Sequence, residues 1–131
     1  MSEENIEVLR AASQAWNAGD MDAFRELHDP DVILRPAKDW PEPGPYTGRE
    51  AVMGFYRQLR ETFDIDTVDL TDDVSHGADR VVIRWIWHAQ GQGPESNMEG
   101  TTVYSVRNGK VRDIEYFWDH GEALEAAGLS E

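Results

Sequence analysis

The chain has 131 residues, no cysteine, and 26 acidic against 12 basic side chains, a formal charge of −14. That length makes one domain, residues 1–131, able to bury a core without staples, and the missing thiols exclude disulfides, thiolate nucleophiles and cysteine-held metal. The charge opposes nucleic acid and anionic membrane, no apolar run nears the roughly 20 residues of a spanning helix, and Met1-Ser2-Glu3-Glu4 opens without a basic stretch, so a soluble cytoplasmic protein with an acid-rich solvated surface is expected.

Ser2 is placed to cap a helix over residues 3–18, with Ile6, Leu9, Ser13 and Trp16 along one stripe. Asn17-Ala18-Gly19 ends it, and Asp20 caps a shorter helix from Met21 to His28 with Phe24 and Leu27 as its apolar side. Asp31 to Arg35 is strand-like in its β-branched content, followed by a loop with Pro36, Pro41, Pro43, Gly44 and Pro45. A third helix is expected over residues 49–62, with Ala51, Val52, Phe55, Tyr56 and Leu59 at helical spacing. Strands are expected at Ile65 to Val74, Arg80 to Gln90, Met98 to Arg107 and Val111 to Trp118, parted by Ser75-His76-Gly77-Ala78, Gly91-Gln92-Gly93-Pro94 and Asn108-Gly109. A short helix, Glu122 to Ala127, stops at Gly128. Helices first and an antiparallel meander afterwards predict an α+β fold, because no regular strand-helix alternation exists to build a parallel sheet.

Strand alternation sorts the side chains into two faces. Val81, Ile83, Trp85 and Trp87 share one face; Tyr104 and Thr102 in the next strand, and Ile114, Tyr116 and Trp118 in the last, belong with them. This inner face is expected to meet the helices. With Trp16, Trp40, Tyr46 and Phe55, these residues form either a bulky core or the wall of an apolar cavity, the usual form of a small-molecule site. The outer face carries Val82, Ile86, Val103 and Phe117 among charges, with Arg80 and Arg84 in position to ladder against Asp113 and Glu115.

Polar candidates are few. Arg35 would face the cavity if Ile33 shares its side, and a guanidinium there could fork onto a carboxylate, phosphate or enolate; it could equally reach solvent or pair with Asp39. Tyr104 and Tyr116 could donate to a ligand carbonyl as an oxyanion hole does, or be core tyrosines satisfied by backbone. His28, His76, His88 and His120 show no metal-ligand spacing, so no metal and no cofactor are expected. His88 and Glu99 are expected as an outer-surface pair. Asp119 with His120 is the better acid–base dyad, although Asp119 is also placed to cap the helix that follows. No nucleophile motif, phosphate loop or dinucleotide fingerprint is present.

Five strings occur in a familiar order: Trp16-Asn17-Ala18-Gly19-Asp20, Asp29-Pro30-Asp31-Val32, Pro45-Tyr46-Thr47-Gly48-Arg49-Glu50-Ala51, Asn108-Gly109-Lys110-Val111 and Ala123-Leu124-Glu125-Ala126-Ala127-Gly128. Together they resemble the SnoaL-like branch of the nuclear transport factor 2-like superfamily, related to ketosteroid isomerases and polyketide cyclases. The resemblance implies a cone: a curved antiparallel sheet with the N-terminal helices over its concave face and a central pocket, in which Trp118 holds an aromatic pocket position. The isomerase residues do not carry over. Its general-base position looks like Arg35, its helix-one oxyanion tyrosine falls near Ala12, and its oxyanion aspartic acid near Thr102. Some polyketide-cyclase relatives place an acid–base aspartate late in the sheet, which adds weight to Asp119. The resulting expectation is a pocket for a small hydrophobic or cyclic molecule bearing a carbonyl or acid group, with a cofactor-free isomerisation, cyclisation or hydration as its reaction class. The alternative is a non-catalytic module that associates through the outer sheet face; dimers through that face are common in the resembled superfamily.

Overall fold

The computed structural model describes residues 2–38, 40, 44–62, 65–76, 79–90 and 96–128. The elements run α1 (Ser2–Ala18), α2 (Met21–Glu26), β1 (His28–Arg35), β2 (Tyr46–Thr47), α3 (Arg49–Thr62), β3 (Ile65–His76), β4 (Arg80–Gln90), β5 (Ser96–Arg107), β6 (Lys110–Phe117) and α4 (His120–Ala126). Of the expected turn Ser75-His76-Gly77-Ala78, Ser75 and His76 instead extend β3, paired with Val81 and Arg80; Gly77-Ala78, the expected turn at Gly91 to Pro94, and Asp39 lie outside the described residues.

Six strands form one curved, unclosed sheet in the order β2-β1-β6-β5-β4-β3. The meander is antiparallel as expected, and its last hairpin turns at Asn108 and Gly109, both at positive φ (54° and 75°), the conformation a tight two-residue hairpin requires. The sheet is mixed, however, because β1 joins β6 in parallel. The chain reaches that position through the loop, β2, α3 and three further strands, so no single βαβ unit announces the pair in the sequence.

α1 lies against β3, and α3 against β1 and β2, so both cover the inner face; the main core joins Leu9, Trp16, Val52, Phe55, Ile83 and Ile114. α4 sits on the other side. Val82 and Val103, which alternate with the inner residues, are buried beneath its Ala123 and Ala127. With Phe117 packed against them, three of the four apolar side chains expected to form an outer association surface are therefore already wholly or partly covered within the chain. The expected ladder is also corrected: β5 separates β4 from β6, so Arg80 and Arg84 have no register with Asp113 and Glu115, and Arg80 instead donates to the Ala126 carbonyl at 3.3 Å.

The string around Asn17 explains how α1 is fastened. The Asn17 amide gives and takes one hydrogen bond each with the Val68 backbone, at 2.9 and 2.8 Å, and so occupies part of the free edge of β3. The Asp20 side chain accepts from Ala23 N at 3.1 Å and caps α2.

Candidate functional site

Between α1, α3 and the concave sheet lies a cavity of about 140 Å³, close to the ~150 Å³ space that takes up benzene in an engineered apolar cavity. All five tryptophans of the chain line it. Trp16 comes from α1 and is held from α3: the Arg60 guanidinium stands 4.4 Å from the indole centroid and donates to the Trp16 carbonyl at 2.7 Å. Trp40 follows β1 and meets Phe55 at 5.9 Å. Trp118, 45% exposed, marks the mouth, where its indole N–H donates to the Lys38 carbonyl at 3.0 Å.

Trp85 lies flat on the sheet because its cross-strand partner is Gly100. A Cβ at Gly100 would stand 2.5 Å from Trp85 Cζ2, so only glycine leaves room for the ring. The indole N–H donates to Thr102 Oγ1 at 2.7 Å, and the Tyr116 ring meets the indole edge-on at 6.1 Å.

The polar groups gather at one side. Tyr56 and Tyr116 hydroxyls are 2.6 Å apart and bonded to each other. Burial pushes both phenols well above their ordinary range, and pushes Tyr104, bonded to Thr102, up to about 12, so all three hold their protons at neutral pH. His28 is 2% exposed and also lines the cavity. Its Nδ1 lies 2.7 Å from the Phe24 carbonyl. Burial, with the nearby positive charge of Arg49, lowers it to about 4, so the ring is neutral at physiological pH.

Of the residues expected from sequence, Tyr104, Tyr116, Trp16, Trp40, Phe55, Ile83, Trp85, Trp87 and Trp118 come together in the lining. Five others do not. Arg35 is corrected: Val32 and Leu34 are the inward residues of β1, so Arg35 points outward and pairs with Asp113 at 2.5 Å in a half-exposed bridge worth no more than about 1 kcal/mol. Asp119 caps α4, accepting from Glu122 N at 2.9 Å, while His120 turns to Thr101 Oγ1 at 3.1 Å, so the two form no dyad. Thr102 and Ile114 are wholly buried behind the lining, Thr102 as the acceptor for Trp85. Tyr46 packs behind Phe55 at 5.1 Å. On the outer face His88 bonds Asn97 and Asp69 rather than Glu99, because the register sets Glu99 opposite Ile86.

Tyr56 and His28 were absent from the expected site. Tyr56 belongs to the apolar stripe expected for α3, whose spacing does not single it out, and α2 ends at Glu26, two residues before the expected His28, which begins β1 instead. Pro30 holds the signal that could have corrected it, since a residue before proline is driven toward extended conformation. Ala12, a small side chain on α1, also lines the cavity.

Solved structures share this architecture. Bal32a, from a soil-derived mobile gene cassette, is 22% identical, with 96% of this chain and 97% of that one covered and a TM-score of 0.82. TerC, co-crystallised with polyporic acid, is 18% identical over 95% of this chain and 97% of its own, TM-score 0.77. RV0760c of Mycobacterium tuberculosis, in complex with estradiol-17beta-hemisuccinate, is 19% identical over 89% and 95%, TM-score 0.78. No curated protein matches the sequence. The SnoaL-like domain, in contrast, matches residues 9–114, from the middle of α1 to the inward Ile114 of β6, and by that match together with its helix-covered, tryptophan-lined cavity the chain belongs to the SnoaL-like domain family.

Proposed function

We propose that the protein binds a small, neutral, cyclic hydrophobic molecule bearing an oxygen, held between the helices and the sheet. The observation that carries this reading is an apolar cavity of ring-sized volume whose lining converges on the bonded Tyr56–Tyr116 hydroxyls. One of those hydroxyl protons is used within the pair, which leaves the other to donate to a ligand oxygen. The described lining contains neither carboxylate nor Lys or Arg, and the chain carries a charge of −14, so an anionic ligand would enter uncompensated. This narrows the expected carbonyl or acid group to the neutral choice. The ligands of RV0760c and TerC, estradiol-17beta-hemisuccinate and polyporic acid, support the ring shape of the reading; both are acids, so they do not bear on its neutrality.

A cofactor-free isomerisation, cyclisation or hydration would draw on the same groups. Tyr116, Tyr56 and Tyr104 keep their protons and would stabilise an oxygen gaining negative charge. Arg35 and Asp119 stand outside the cavity and have no place in such a scheme.

Because every tryptophan touches the cavity, intrinsic fluorescence reports its filling. Titration with 4-methylcyclohexanone should change the emission saturably, and 4-methylcyclohexanecarboxylate should bind at least tenfold more weakly. Ala12→Phe, which fills the space, should remove the response. No saturable change with the ketone, or an unchanged response in Ala12→Phe, would refute the reading.

A further inference from the structure

Each protein donor in the cavity needs an acceptor, but one strong acceptor faces the reverse problem. The Phe24 carbonyl, 2.7 Å from His28 Nδ1, can only accept, so Nδ1 carries the proton. In a neutral imidazole the other nitrogen, Nε2, is then a bare lone pair. No hydrogen bond reaches it from the described residues, and because Arg49 Nε is the one buried side-chain atom left without a partner among them, Nε2 keeps a little accessible surface although the residue is only 2% exposed. The ring is packed against aromatic neighbours. Phe24 holds it at 4.7 Å between ring centroids, Tyr56 stands at 6.2 Å, and Arg49 Nη1 fastens the His28 carbonyl at 3.3 Å. An unpaired acceptor on so nearly buried a residue is open to a donor only through the small surface it keeps, and the space next to His28 is the cavity.

We propose that His28 is the recognition acceptor of the cavity, its Nε2 receiving a hydrogen bond from a phenolic or enolic O–H of a cyclic ligand. This rests on the binding role proposed above and adds the ligand's chemistry: a ring that donates as well as accepts. The tyrosine pair holds an oxygen, and His28 selects those ligands whose oxygen carries a proton. A fixed neutral imidazole beside a bound enol is also placed to take that proton, so in a turnover His28, rather than a carboxylate, would be the base.

The test uses the full chain labelled with 15N at histidine and two ring probes, p-cresol and its methyl ether 4-methylanisole, which keeps the acceptor oxygen and lacks its proton. Expected is one imidazole whose bare nitrogen is Nε2, whose resonance moves upfield with p-cresol and not with 4-methylanisole. p-Cresol should bind about tenfold more tightly, the worth of one such bond. His28→Phe keeps an aromatic ring against Phe24 and should equalise the two probes. Equal affinities with an unmoved nitrogen, a preference that survives in His28→Phe, or a bare Nδ1 would each overturn the assignment. If 4-methylcyclohexanone still binds in those cases, the cavity reading stands and only the role of His28 falls. If no ring compound binds, both fall.

Discussion

The Tyr56 and Tyr116 hydroxyls satisfy each other inside a mostly apolar lining, and that mutual dependence has a measurable signature. Removing one hydroxyl leaves its partner buried without a bond, whereas removing both leaves two phenylalanines of nearly the same shape. Tyr116→Phe alone should therefore lower unfolding stability by about 1–3 kcal/mol. Tyr56→Phe combined with Tyr116→Phe should cost clearly less than the sum of the single changes, a coupling that urea denaturation of the four proteins resolves. Additive losses would mean that each hydroxyl has another partner. Arg35 offers the contrasting case. It was a reasonable anion holder on paper, yet its bridge to Asp113 is half exposed, so Arg35→Ala is expected to leave ring-ligand affinity unchanged.

At the scale of elements, periodicity carried most of the fold. The apolar stripe of α3 and the alternation of β4 specified both their faces and, for these two, their bounds, because a period of 3.6 or 2 repeated over three or more turns or residue pairs leaves little freedom. What escaped were features set by distant partners. The parallel β1–β6 pair depends on how the whole chain winds, and α4 reaches the outer face through two alanines, Ala123 and Ala127, too small to advertise a stripe. His28 escaped for a local reason, since its assignment to helix rather than strand hid the face it occupies. Gly100 was legible in principle, as a lone glycine mid-strand opposite a tryptophan signals close approach. Gly100→Ala should force the Trp85 indole off the sheet, break its bond to Thr102 and cost about 1–3 kcal/mol. Near-UV circular dichroism would record the displaced ring, and adding Trp85→Leu should recover part of the stability.

For the molecule as a whole, an acidic shell surrounds a neutral interior, and the two respond to acid at different pH. The unfolded chain protonates His28 below its ordinary value of 6.5, whereas the folded chain resists until about 4. Within that window the unfolded state binds the extra proton, so stability falls as pH falls, by about 2 kcal/mol between pH 6.5 and 5 and about 3 by pH 4. The shell acts in the opposite direction: protonating carboxylates reduces the self-repulsion of a chain charged at −14. Urea denaturation at pH 7 and pH 5 measures the fall directly. Subtracting the same difference for His28→Phe separates this term from the other histidines and from the shell, and should leave about 2 kcal/mol. A His28→Phe protein as acid-sensitive as its parent would show that His28 titrates normally in the folded chain, and the neutral lone pair facing the cavity would go with it.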